Sequence, residues 1–260
     1  MRRRALIDFR GAARVWQRDL WVYRDRWLYG LLPNFFEPLF YLLGLGVGLG
    51  YYVSTGGQFG QDYLAYIGPG LVASSAMNGA SFETTYNVFV KLHFGRLYDA
   101  MVTTRVNMED VAVGEWGWAI TRSLIYGGIF LFITLFFHTP LTWRLLLAVP
   151  AIVVVGYCFS AIGLTFTSLI QIIDVYSYYF TLFLTPSFLF SGIFFPVKGR
   201  FPTALVWVAQ GTPLYRAVRL VRGIVNGHWQ GLWFDVAYLL VVGTAFGAFA
   251  VWRMQRRVIR

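Results

Sequence analysis

Six stretches without a charged side chain follow one another along this chain, at 38–61, 63–82, 123–143, 145–173, 175–197 and 236–252. Each is close to or beyond the roughly 20 apolar residues that carry a helix across a bilayer. So much continuous apolar surface predicts an all-α polytopic membrane protein with six transmembrane helices, because in lipid each span must satisfy its own backbone hydrogen bonds. Composition agrees: of 260 residues 57% are hydrophobic and 13% charged, and the mean hydropathy is +0.57, outside the range of an ordinary soluble domain. The first run begins too late for a secretory signal peptide, so no cleavage is expected.

A net charge of +10 would suggest nucleic acid in a soluble protein, but position decides otherwise. Arg2, Arg3, Arg4, Arg10, Arg14, Arg18, Arg24 and Arg26 precede the first run, and Arg253, Arg256, Arg257 and Arg260 follow the last. Basic residues beside spans stay in the cytoplasm, which puts both termini inside and agrees with an even number of spans. The segment 54–62 is then outside, 91–115 inside, 138–144 outside, a tight turn at Asp174 inside, and 198–235 outside. No repeat or linker divides the chain, which reads as a single domain: an amphipathic head over 1–32, five spans over 33–195, an external loop over 196–232, and the last span with a basic tail over 233–260.

In the head, Phe9, Ala13, Trp16, Leu20, Tyr23 and Trp27 recur at helical spacing, with Arg10, Arg14 and Arg18 on the other side. This predicts a helix in the membrane plane, serving either as a topological anchor or as a partner contact. The inside island has its own punctuation. A short helix is expected at 97–102, a turn at Thr103, Thr104 and Val106, and a second helix from Met108, with Asn107 as N-cap and Asp110 completing a capping box.

Catalytic chemistry is not expected. Ionisable residues are missing from the centres of the uncharged runs, with Glu37, Glu83, Asp174 and Asp235 at or near their ends. His93, His138 and His228 lie in separate loops, and Cys158 is the only cysteine, so neither a metal site nor a disulfide is expected. There is no G-x-x-x-x-G-K-[ST] phosphate loop, so the chain is not expected to hydrolyse ATP itself. The lack of central carboxylates also disfavours a proton-coupled carrier.

The external loop is broken by Pro196, Pro202 and Pro213 and by Gly199, Gly211 and Gly223. Thr212 and Pro213 open a short helix that is expected to end at Gly223, with Arg216, Arg219 and Arg222 at steps of three. Segments this apolar but too short to span predict re-entrant or interfacial helices. Phe195, Pro196, Pro213, Tyr215 and the three arginines then form either an outer gate meeting anionic headgroups or a simple interface anchor. On the fifth run, Tyr176, Tyr178, Tyr179 and Phe183 are candidates for stacking on sugar faces, with an interfacial aromatic belt as the alternative.

The motifs "FEPLFYLLGLGVGLG", "YIGPGLVASSAMNGASFET", "YDAMVTTRVNMEDVAVGE", "FLFSGIFFPV" and "TPLYRAVRLVRG" together resemble the permease subunit of type 2 ABC exporters. Within that family they resemble the nodulation protein J group of lipooligosaccharide exporters. The resemblance covers nearly the whole chain. It implies an inner-membrane half-transporter that pairs with a second copy and with two separate ATPase subunits, which use ATP and Mg; no cofactor is expected on this chain. It also implies that the segment 95–104 is the coupling element, through Gly95, Arg96, Leu97, Tyr98, Asp99, Met101 and Thr104, with Asp174 as a lesser contact. The amphipathic head, with Arg10, Arg14, Trp16 and Arg18, would lie along the same interface. The implied cargo is an amphiphile such as a lipid-linked glycan. Drug efflux by the same architecture, and a multispan enzyme acting on lipid, are the competing readings.

Overall fold

The computed structural model describes residues 8–49, 63–95, 97–104, 106–135, 143–197 and 202–258. Arg96, Arg105, Lys198, Arg200, the external stretch 54–62 and His138 lie outside them. Most of the described residues are helical, and none of them is in a strand. Helix α1 (Phe9–Tyr41) continues as wider π turns over Leu42–Leu49, and α2 (Tyr63–Phe82) continues through π turns at Glu83–Asn87 and Val90–Phe94. Then come α3 (Leu97–Val102), α4 (Met108–Thr134) and α5 (Arg144–Leu169). Helix α6 is made of three joined pieces, Tyr176–Tyr178, Tyr179–Leu184 and Thr185–Leu189. Helices α7 (Thr203–Gly211), α8 (Pro213–Asn226) and α9 (Leu232–Val258) complete the chain.

Among the described residues three helices are long and apolar enough to cross a membrane: Met108–Thr134, Arg144–Leu169 and Leu232–Arg256. They match three of the six uncharged runs. The second run, 63–82, is also one helix, α2, with the bounds the sequence suggests. The first run lies partly outside the described residues, and the fifth is the broken helix α6 ending in a turn at Gly192.

One sequence expectation is corrected here. Ionisable residues are not confined to the ends of the spans: α4 starts at Met108 and runs on into the third uncharged run, as the sequence suggests, and so contains Glu115 and Arg122, both buried. The uncharged-run criterion starts a span after its last charge. The helix instead starts at its cap, where Asp110 Oδ2 accepts from Asn107 N–H at 3.0 Å as the sequence suggests.

Helix α4 is central, with α1, α2, α5 and α9 packed around it, and α8 packs against α2 and α5. The main core joins Leu71, Met77, Phe130, Ile152, Phe159 and the buried face of α8, Leu214 to Ile224. A second core gathers Val15, Val88, Tyr98, Met108, Val111, Leu164 and Met254. In lipid such contacts depend on close backbone approach and on satisfied hydroxyls rather than on water exclusion. Gly114 shows the first: a Cβ there would lie 2.7 Å from Ala12 O and 2.7 Å from Val15 Cβ, so α1 and α4 touch backbone to backbone. Thr167 shows the second, donating from α5 to the Thr84 carbonyl at 2.6 Å, inside the π-turn region of α2.

The head is not a separate element, since α1 runs unbroken from Phe9 to Tyr41, about 50 Å at 1.5 Å per residue. Its face against α4 carries Gly11, Ala12, Val15 and Asp19, while Phe9, Ala13, Leu20 and Trp27 are exposed. Helix α8 also differs in extent. It runs past Gly223 to Asn226, and Gly227, in the left-handed region at φ +75°, is its true end. Gly223 serves packing instead, because a Cβ there would meet Leu232 Cδ2 at 2.6 Å.

Candidate functional site

The connection between α2 and α4 is built around Lys91. Its Nζ lies 2.8 Å from Glu115 Oε2, 3.1 Å from Asp19 Oδ1 and 3.5 Å from Glu83 Oε1. Three elements, α4, α1 and the extension of α2, thus place carboxylates on one ammonium. Eight residues on an ideal α-helix rotate a side chain about 80° from its starting face. The wide turns between Glu83 and Lys91 absorb that rotation and bring both onto the same side, with Asn87 donating to Glu83 Oε2 at 2.8 Å between them. Arg122 Nε, 3.1 Å from Glu83 Oε2, and Arg18 Nη1, 2.8 Å from Asp19 Oδ1, supply the remaining positive charge. The Arg122 guanidinium also lies over the rings of Tyr23 and Tyr126, 4.4 and 4.8 Å from their centroids. Burial works against the Lys91 charge, but the facing carboxylates of Glu115, Glu83 and Asp19 outweigh it and raise its pKa above the ordinary lysine value.

Helix α3 hangs on this cluster. Tyr98 is fully buried and its hydroxyl donates to Glu115 Oε1 at 2.8 Å. Burial, and then the Glu115 charge, push its phenol well above the usual tyrosine range. Of the coupling candidates, then, Tyr98 faces inward and leaves nothing for an outside partner to touch. Leu97 and Met101 are half-buried against the second core, whereas Gly95, Asp99 and Thr104 are exposed. Asp174, in a 3₁₀ turn at Ile173–Val175, is exposed as well. From the head, Trp16 Nε1 donates to Thr121 Oγ1 at 2.9 Å, and Asp8 N–H donates to Asp110 Oδ1 at 2.7 Å. Arg10 and Arg14 stay exposed and Arg18 is half-buried. The starts of α1, α3 and α4 therefore form one connected platform. Sequence reading named its exposed residues but missed Lys91, Glu115 and Arg122 as a unit, because nothing local in the chain joins positions 19, 83, 91, 115 and 122.

Arg216, Arg219 and Arg222 each have partners inside the protein. Asp235, buried in the first turn of α9, lies 2.6 Å from Arg219 Nε and 3.3 Å from Arg216 Nη1. Arg216 also sits over the rings of Phe234 and Tyr238. Arg222 Nη2 donates to the carbonyls of Gly192 and Ile193 at 3.0 and 3.3 Å and lies 4.0 Å over Tyr66, whose hydroxyl donates to Gly192 O at 3.2 Å. The turn carrying Phe195 and Pro196 is thereby fixed to α2 and α8. Pro213 and Tyr215 form the first turn of α8, where Thr212 Oγ1 accepts from Tyr215 N–H at 3.3 Å. The three arginines are thus held by Asp235 and by backbone carbonyls, with the Arg219 side chain still 39% exposed.

A cavity of about 120 Å³ opens between α1, α2 and α6, lined by Tyr41, Met77, Asn78, Phe82, Phe180 and Phe188 among others. The four aromatic candidates on α6 do not line it. Tyr176 and Tyr179 are buried in the core, Phe183 is half-buried, and Tyr178 is 62% exposed. The lining residues Phe180, Leu184 and Phe188 follow one another at steps of four along another face of α6. Among the described residues no group of three or more potential metal ligands is found.

The ABC-2 type transporter model matches residues 12–226. Nodulation protein J of Rhizobium leguminosarum bv. trifolii is 37% identical over 216 residues, covering 82% of this chain and 80% of the relative. Nodulation protein J of Sinorhizobium fredii is 29% identical over 94% of this chain and 93% of its own length. The inner membrane transport permease YadH of Escherichia coli is 23% identical, covering 70% of each chain. A match of this extent, on apolar helices long enough to cross a membrane, leads to one conclusion: the chain belongs to the ABC-2 type transporter family and is a multi-pass membrane transporter permease.

Proposed function

We propose that this chain is the membrane half of an ATP-driven exporter that moves an amphiphile, a lipid-linked oligosaccharide or related glycan, outward across the inner membrane. Six spans, two cytoplasmic termini, pairing with a second copy, and two ATPase subunits that use ATP and Mg belong to this reading. The observation that carries it is the platform of α1, α3 and α4. Exposed Gly95, Asp99 and Thr104 sit on and beside a short helix whose inward side is tied by Tyr98 to a span. A helix exposed on one side and anchored on the other can receive a push and pass it on. Similarity to nodulation protein J over about four-fifths of the chain supports the glycan choice. The cavity is compatible with an amphiphile, since Tyr41, Phe82, Phe180 and Phe188 line it together with the polar Ser74, Asn78 and Thr185.

Co-purification from native membranes tests the reading. Wild type is expected to bring an ATPase with it, and the pair Arg96→Glu with Asp99→Arg is expected to lose it. Purification of the wild type alone, in mild detergent with ATP present, would refute the exporter. A glycan cargo requires ATP-dependent uptake of a fluorescent glycolipid into inverted vesicles. Uptake of an apolar dye in its place would point to drug efflux.

A further inference from the structure

We propose that Lys91 and Glu115 form the joint through which a displacement of α3 is carried into α4 and α1; the inference rests on the proposed ATPase partner for what moves α3, though not for the joint itself. The segment 90–102 grips α4 twice at a single carboxylate. Lys91 Nζ reaches Glu115 Oε2 at 2.8 Å from one side of Arg96, and Tyr98 Oη reaches Glu115 Oε1 at 2.8 Å from the other. Glu115 has no exposed surface and Lys91 only 16%, so neither contact is diluted by water. Through Asp19 at 3.1 Å the same ammonium holds α1. A force on α3 therefore reaches two long helices through one buried charge.

The geometry also shows which part of the network stays in place. Glu83 has its own cation in Arg122 and its own donor in Asn87, and its contact with Lys91 is the longest of the three. It can release Lys91 and stay paired, whereas Glu115 has no cation within ion-pair distance other than Lys91 among the described residues. The extension of α2 between them is made of wide turns, which are common at functional sites and less regular than α-helix. Lys91 is a positioning residue in this scheme and touches no substrate.

Full-length protein in lipid nanodiscs provides the test, as wild type, Lys91→Met, Lys91→Arg and the double variant Lys91→Met with Glu115→Gln. The double variant strands no carboxylate at position 115 and so keeps the fold if the single one does not. In the chain alone, loss of the joint is expected to raise amide exchange over 97–102 and 9–19 about tenfold, the effect of losing one charge-assisted contact, with little change at α8. Lys91→Arg keeps the charge and is expected to stay near wild type. In the complex with its ATPase, Pro196→Cys in a Cys158→Ser background reports the outer end by maleimide labelling. A non-hydrolysable ATP analogue should change that rate in the wild type and not in Lys91→Met, while the ATPase still co-purifies with both. Unchanged exchange over 97–102 in both Lys91→Met variants would overturn the joint, as would an outer end that responds normally without it. Absence of any ATPase from the wild type would sink the exporter reading instead, and the exchange data would still judge the joint.

Discussion

Asp235 shows how a single residue is held in a place costly for its charge. It has no exposed surface, and Arg219 and Arg216 close on its two oxygens at 2.6 and 3.3 Å. Burying a carboxylate is tolerated when it is paired, and removing one partner strands the other. Asp235→Asn is therefore expected to cost about 2 kcal/mol, less than a fully buried pair because Arg219 is 39% exposed and can regain water. Thermal unfolding of purified protein in detergent, compared at matched salt, measures it, and an unchanged midpoint would show that the pair contributes nothing. At Gly227 the constraint is backbone. A β-branched residue at φ +75° is strained, and its Cβ would run into the Arg144 guanidinium. Gly227→Val should destabilise by about 2 kcal/mol and Gly227→Asn by clearly less, since Asn visits that region at lower cost. Equal losses for the two would show that crowding by Arg144, not φ, is the limit.

At the scale of elements, the contact of α1 with α4 needs no large side chain at its closest point. Ala12 O and Val15 Cβ leave only a hydrogen's room at Gly114, and polar contacts on either side, Asp8 with Asp110 and Trp16 with Thr121, set the register. Gly114→Val should push α1 away from α4 and expose its first turns to limited proteolysis between 9 and 30, with α9 unaffected. Cleavage no faster than in wild type would show that α1 is held by its polar contacts alone. Much of this scale was legible in the sequence: the bounds of α2 and α3, the Asn107 cap, and Pro213 opening α8 all derive from local chemistry. Two things were not. The continuity of α1 past residue 32 could not be read because the charged-to-apolar change looks like a boundary. The end of α8 at Gly227 rather than Gly223 depends on which glycine has neighbours above it, and that is decided by Leu232 in another helix.

For the molecule as a whole, the platform of α1, α3 and α4 and the arginine cluster around Asp235 lie at opposite ends of one bundle, with α2 and its extension reaching both through Tyr66 and Glu83. Topology is checked with single cysteines in a Cys158→Ser background. Cys158 is fully buried, so the wild-type chain should resist maleimide while folded. Thr103→Cys should label only when the inner face is accessible and Asn226→Cys from outside intact cells; the reverse pattern would invert the proposed orientation. The sequence alone determined that this is a helical membrane protein, where its polar islands fall and how its helices are capped, because hydropathy and capping are properties of neighbours in the chain. Tertiary structure alone decided that Tyr98 turns inward, that Arg216, Arg219 and Arg222 answer to Asp235 and to backbone carbonyls, and that one lysine gathers carboxylates from positions 19, 83 and 115. Which charges meet depends on how helices far apart in sequence pack together, and no local pattern records that.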